Sequence, residues 1–384
     1  MRLAHGLHLA YCTNVHRGET WEETFAALRT HTLAVRDRVC PPGEDYGIGL
    51  RLSDRASREL AEPASLAEFR RWLDRERCYV FTINGFPYGT FHGAPVKESV
   101  YRPDWTDPAR LAYTCRLFDL LGELLPPGVE GSVSTLPGSF KEFIAPAATE
   151  GAVQQIYAHL IQCAVHAAEV SGRTARPLRL ALEPEPLGLF ENTAETVRFL
   201  MPLVETFPGQ FGVCFDACHF AVEFEEPARA LAAFAEAEIP VVKLQLSAAV
   251  KTRDEAASRE RLRAFADDVY LHQVAVRRGE RPPFFYKDLD RALASGVTPG
   301  DEWRVHFHVP LHTPAEGVLG TTADALPGVF DWLAANPALC PHLEMETYTW
   351  GVLPSALRSS DVVDQLVREY EWTLAHLRKR GLTA

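Results

Sequence analysis

The chain has 384 residues, 47% of them hydrophobic and 23% charged, and its 51 acidic against 39 basic residues leave a formal net charge of −12. These values allow a sizeable buried core. An acidic chain without a long basic run repels polyphosphate, which counts against a nucleic-acid partner, and no apolar run nears the roughly 20 residues of a membrane span.

The N-terminus reads as a first strand and not as a signal peptide. The eight cysteines are scattered, which favours reduced thiols in a cytoplasmic protein over a disulfide framework. Cys214 and Cys218 read as packing residues and not as zinc ligands.

The first strand spans about residues 5–13, where His8 either faces an interior or is hydrogen-bonded in the core. A helix follows, and Thr20 with Glu23 three residues later has capping-box spacing. Strand two covers 46–53, its Arg51 pointing either to a rim or outward. A helix near 64–77 leads to strand three at 78–89. The loop from Asn84 to His92 is rich in Gly, Pro and aromatics, and reads as a substrate wall or as an ordinary turn with buried aromatics. Strand four covers 128–140, and a helix over about 148–172 precedes strand five.

Strand five (178–184) delivers Glu183 behind the run LRLAL. Glu185 shares its parity but lies beyond a proline, so it is the second choice. Strand six (211–216) ends in Asp216, with His219 three residues on. Strand seven (239–250) aligns Lys243, Gln245 and Ser247 on one face, as an interior polar site requires. Residues 251–302 read as charged, helical and partly loop. In 303–314, His306 and His308 share one parity and His312 follows in the turn; three histidines in seven residues favour a functional role over a packing one. The last strand-like run, 340–350, places Glu344 and Glu346 on one face before a closing helix at about 359–380.

Apolar strands separated by helices, each delivering a carboxylate or imidazole at its C-terminal end, are the pattern of an α/β (β/α)8 TIM barrel at its catalytic rim. Nine strand-like segments are one too many for it. The preferred resolution is a single barrel domain over 1–384 with a long insertion between strands seven and eight, residues 251–314, folded as an arm that brings its histidines over the C-terminal rim. Glu183, Asp216, Gln245 and Glu346 then sit at the ends of strands five to eight, with His219, His306 and His308 near them. Three carboxylates and an amide oxygen suit Mg²⁺ or Mn²⁺, and added imidazoles shift the preference toward Mn²⁺, Fe²⁺, Co²⁺ or Zn²⁺. Such a cation polarises a carbonyl and binds vicinal oxygens of a polyol, while a spare Glu or His moves a proton.

This order of residues resembles the xylose-isomerase-like barrel superfamily of sugar isomerases, ketose epimerases and type-IV apurinic endonucleases. The resemblance implies that Glu183, Asp216, Gln245 and Glu346 hold a divalent metal, and that His219 is a further ligand or a substrate contact. The superfamily usually offers a histidine where this chain has Gln245, so the alternative is that Gln245 binds substrate and His308 replaces it. The endonuclease branch uses histidines near positions that here are Asn84 and Leu136, which cannot build a three-metal cluster. More narrowly, the opening HLAYCTNVHRGETW and the closing LEMETYTW resemble the EboE metabolite-traffic family of the ebo gene cluster, which is associated with secondary-metabolite precursors.

The resulting expectation is a metal-dependent isomerase or epimerase acting on a small polyoxygenated metabolite. Glu183 and Glu346 are ligands that also serve as base and acid, His219 or Lys243 stabilises the enolate, and His306, Asn84, His8 and Arg51 contact substrate. A non-catalytic metabolite carrier on the same barrel is the alternative, and a metal-dependent phosphodiesterase is the third reading.

Overall fold

The structure is a computed structural model and describes residues 1–315 and 317–383. Its strands are β1 (His8–Tyr11), β2 (Tyr46–Arg51), β3 (Cys78–Asn84), β4 (Gly131–Thr135), β5 (Leu178–Leu182), β6 (Phe211–Asp216), β7 (Val241–Leu246), β8 (Ala249–Arg253), β9 (Val274–Arg277), β10 (Phe284–Tyr286), β11 (Glu302–His308), β12 (Leu319–Thr321) and β13 (His342–Met345). Eight of them form one parallel sheet in the order β1-β13-β7-β6-β5-β4-β3-β2. An isolated parallel bridge between Cys12 and Gly49 joins the two ends. The result is a nearly closed TIM barrel, with β13 in the eighth position. Gly49 is required at this seam, because a Cβ there would lie 2.0 Å from Glu344 Oε1 and 2.8 Å from the Tyr11 carbonyl.

Barrel strands are covered by helices on one face and by the packed interior on the other, which is why β2, β3, β6 and β7 are buried along their whole lengths. The outer helices bury one stripe each. In Thr149–Thr174 the stripe is Ile156, Leu160, Cys163, Ala167 and Val170, at three- and four-residue spacing. The capping box at Thr20 and Glu23 is present, with the helix starting at Trp21.

The interior is layered and polar. At the N-terminal end His8 Nδ1 meets Tyr79 Oη at 2.8 Å, and Ser132 Oγ bridges Thr82 Oγ1 (2.7 Å) and His342 Nδ1 (2.8 Å). In the next layer Lys243 Nζ pairs with Glu344 Oε2 at 2.6 Å, both side chains fully buried. Above these lie Asp216 and Gln245, opposite each other in the β6–β7 register, with Glu183 and Glu346 just beyond the ends of β5 and β13.

The run 239–250 is two strands and not one. β7 ends at Leu246, and β8 leaves the barrel from Ala249 to join a second, five-stranded sheet in the order β10-β9-β11-β8-β12. All its pairings are antiparallel. Residues 251–302, expected to be mostly helix and loop, thus contribute most of three strands as well as the short helices Ala256–Leu262 and Leu289–Ala294. Strands of three to five residues show too few alternations to stand out between charged neighbours. Cys218, Val222, Ala249 and Ala275 form a small buried cluster that seats this sheet on the helix after β6. Among the described residues no helix is long and apolar enough to cross a membrane.

Candidate metal centre at the barrel rim

β6 ends in Asp216, which also caps the short helix Ala217–Val222. Its Oδ1 accepts from the backbone N–H groups of Cys218 (2.9 Å) and His219 (3.2 Å), and from Ser247 Oγ (2.5 Å). This cap fixes the carboxylate and, one turn on, points Cys218 and His219 at the rim. Asp216 Oδ2 is left without a partner although the side chain is fully buried. Burial alone would raise its pKa, but the His219 imidazole and the hydrogen bonds from Ser247 and Cys218 outweigh it, so Asp216 sits below its usual value and stays ionised.

Glu183 and Glu346 flank Asp216 and behave oppositely. Burial pushes both well above the usual carboxylate range, and the negative charges of their neighbours add to it: Glu346 and Asp216 act on Glu183, Asp216 and Glu344 on Glu346. Glu346 Oε1 is held by two amides, Asn14 Nδ2 at 2.7 Å and Asn84 Nδ2 at 3.2 Å. Glu183 Oε2 and Gln245 Oε1 both lie near Cys214 Sγ, at 3.6 and 3.2 Å, and Gln245 Nε2 has no partner.

Two mixed sets of carboxylate and imidazole donors share Asp216. Ligand atoms of Glu183, Asp216 and His219 lie within 4.8 Å of one another, and so do those of Asp216, His308 and Glu346. Several buried carboxylates close together repel unless protons or a cation compensate them. The orphaned Asp216 oxygen and the two overlapping trios are the donor chemistry that a divalent cation needs, so these residues fit one.

The bulge in β11 between Val305 and His308 lets His306 and His308 both reach the rim. His306 Nδ1 meets Gln273 Oε1, His308 Nδ1 meets the Glu346 carbonyl, and His219 Nδ1 meets the Pro184 carbonyl, each at 2.8 Å. Burial drives the pKa of His308 down to about 4 and that of His306 well below the imidazole range, so both are neutral.

A cavity opens above these groups. Its polar side includes Glu183, His219, His306, His308 and Glu346, and its other side is apolar and aromatic, with Phe86, Phe91, Tyr101, Tyr270 and Tyr348. Asn84, Phe86, Pro87 and Phe91 bring the loop after β3 into this wall.

Three residues assigned to the site from sequence lie elsewhere. His8 is at the opposite end of the barrel, packed against Phe81 and His342. Lys243 is engaged by Glu344 one layer below; burial works against its ammonium, but Glu344 outweighs that and holds it protonated. The Arg51 guanidinium is buried and donates to the carbonyls of Gly18 and Gly89, so it braces two loops outside the cavity. Strand parity gives the face of a residue but not its height along the barrel axis, and these assignments lacked the second coordinate.

Sequence reasoning also missed residues. Asn14 is brought to Glu346 by the short 3₁₀ turn Thr13–Val15 after β1. Glu185, weighed from sequence only as the second choice to Glu183, also lines the cavity with an unpartnered Oε2, and burial raises its pKa to about 7. Cys218, read as a packing residue, places its Sγ 3.3 Å from His308 Nε2. The one signal available for it was the adjacent Asp-x-x-His.

No protein-family model matches the sequence, and no curated protein matches it. Solved structures do match in fold. The probable 3-DHS dehydratase AsbF from Bacillus anthracis is 12% identical, with 96% of this chain and 98% of that one covered at a TM-score of 0.51. A D-allulose 3-epimerase from Methylomonas sp., in complex with D-allulose, is 13% identical with 99% of each chain covered and a TM-score of 0.51. The IolI protein, solved with a zinc atom, is 10% identical over 97% of this chain and 99% of that one, at a TM-score of 0.50. The likeness is one of fold: a (β/α)8 TIM barrel.

Proposed function

We infer that the protein is a divalent-metal-dependent isomerase or epimerase of a small polyoxygenated metabolite. The observation that carries the reading is the convergence of Glu183, Asp216, His308 and Glu346 donors on one rim, with an unpartnered Asp216 oxygen between them. Glu183, Asp216 and Glu346 would hold the cation, completed by Gln245 Oε1 or His308 Nε2. A bound divalent cation supplies polarisation of a carbonyl and a clamp for vicinal oxygens.

The protein's own groups do the rest. Burial and neighbouring negative charge raise the pKa of Glu183 and Glu346, the direction that lets a carboxyl carry a proton as a general acid must. Asn14 and Asn84 pin one oxygen of Glu346. His219, with Nδ1 tied to the Pro184 carbonyl, offers Nε2 to substrate or cation. The aromatic wall excludes water from the reacting face. We assign this chemistry to secondary-metabolite precursor processing or traffic, a reading supported by the resemblance of the chain's two ends to the EboE family.

A carrier role is the second reading. Gln245, an uncommon ligand already engaged by Cys214, is the observation that favours it. Both readings meet in one experiment: metal-loaded protein is incubated with a panel of ketoses and aldoses in D₂O and followed by NMR. Carbon-bound deuterium in wild type, absent from Glu346→Gln, supports the enzyme. Calorimetric binding of a panel member without deuterium incorporation supports the carrier.

A further inference from the structure

The rim holds a second donor set of a different chemical character. Ligand atoms of Cys218, His219, His306 and His308 all lie within 4.8 Å of one another, and all four residues are buried. Two come from the helix after β6 and two from β11 of the second sheet.

Hydrogen bonding fixes the tautomer of each imidazole. A carbonyl oxygen only accepts, so Nδ1 of His219 donates to Pro184 and Nδ1 of His308 donates to Glu346. Gln273 donates its Nε2–H to the Pro186 carbonyl at 2.9 Å, which turns its Oε1 to His306 and makes His306 Nδ1 a donor too. In the neutral form of each ring the proton is therefore on Nδ1 and the lone pair on Nε2. An oxygen acceptor on one ring nitrogen is the arrangement that orients histidines whose other nitrogen binds a metal.

These lone pairs face one another. His306 Nε2 and His308 Nε2 are 3.3 Å apart, and Cys218 Sγ is 3.3 Å from His308 Nε2. Two unprotonated nitrogens at that separation repel unless something positive lies between them. A tetrahedral Zn²⁺ with Zn–N bonds of about 2.0 Å has N···N edges of about 3.3 Å. The His306–His308 separation equals that edge.

We propose that Cys218, His219, His306 and His308 form a soft, four-coordinate cation site that takes Zn²⁺, beside the carboxylate ring of Asp216. Three imidazoles and a thiolate are a borderline-soft set, unlike the hard oxygens of Glu183, Asp216 and Glu346. Binding replaces the Cys218 S–H proton with the cation and releases that proton to solvent. His308 then belongs to this site, and the ring keeps Glu183, Asp216, Gln245 and Glu346. The cation also cross-links the second sheet to the barrel. The inference goes beyond the isomerase reading and stands without it, since it uses no substrate and no carboxylate chemistry.

The test is optical. Full-length protein is stripped by dialysis against a chelator and titrated with Co²⁺, with circular dichroism confirming the fold of every variant. The expected result is a near-ultraviolet thiolate-to-cobalt charge-transfer band together with the intense visible absorption of four-coordinate Co²⁺. Cys218→Ser loses the charge-transfer band, His306→Ala loses the intense visible absorption, and Glu183→Ala and Cys214→Ser keep both. A wild-type protein without a charge-transfer band, a band that survives Cys218→Ser, or a band abolished by Glu183→Ala would overturn the proposal. Failure of the isomerase reading would show instead as absent turnover with these spectra intact.

Discussion

Replacing Lys243 with Met tests the placement of that lysine most sharply. Its Nζ lies 2.6 Å from Glu344 Oε2 and 3.3 Å from Ser134 Oγ, inside a barrel where neither charged side chain reaches solvent. Lys243→Met removes the cation and leaves the Glu344 carboxylate buried beside Cys12 and beneath Glu346. Breaking a buried pair in this way costs about 3–5 kcal/mol. With a urea m-value of about 3 kcal/mol/M or more, the midpoint moves down by about 1 M. The double variant Lys243→Met/Glu344→Gln removes both charges and recovers most of the loss. The assay is urea unfolding followed by tryptophan fluorescence and far-ultraviolet dichroism. A midpoint shift below about 0.3 M, or a double variant no better than the single one, would refute the reasoning.

Two further outcomes follow from other buried carboxylates. Glu369 accepts hydrogen bonds from Thr347 Oγ1 (2.6 Å) and Leu311 N (3.1 Å) through one oxygen, and burial raises its pKa to about 7. Because the folded value lies above the unfolded one, its stability contribution is full below about pH 4.5 and disappears as pH rises through 7. Glu369→Gln keeps the accepting oxygen, so it stabilises the protein by about 3 kcal/mol at pH 8 and by close to nothing at pH 4, read from the same urea curves. Asn14→Ala releases one of the two amides on Glu346, and the affinity of the carboxylate ring for Mn²⁺, measured against a chromogenic chelator, falls roughly 10-fold with the fold unchanged.

The legible part of this chain was its periodic part. β6 occupies the span read from sequence, and Glu183 follows β5 where LRLAL placed it, because long apolar runs between helices leave few other arrangements. The capping box at Thr20 is a local signal and needed no tertiary information. What depended on tertiary placement did not show. His8, Lys243 and Gln245 share an interior position, yet only Gln245 reaches the layer of Asp216, and height along the axis is set by strand register across the sheet. The second sheet was hidden because β9 and β10 have four and three residues. Cys218 looked like a packing residue since the imidazoles that surround it come from β11, far along the chain.

The central claim is that Asp216 anchors a divalent cation at the barrel rim, since it is common to both carboxylate–imidazole trios and keeps a buried oxygen free. The most direct measurement is elemental analysis of protein purified without chelator and then dialysed against limiting Mn²⁺ and Zn²⁺, beside Asp216→Ala. The account expects at least one equivalent of metal per wild-type chain, and a loss of at least one equivalent in an Asp216→Ala protein with a native circular dichroism spectrum. A wild-type chain that takes up neither ion, or an Asp216→Ala chain that holds as much as wild type, would contradict it.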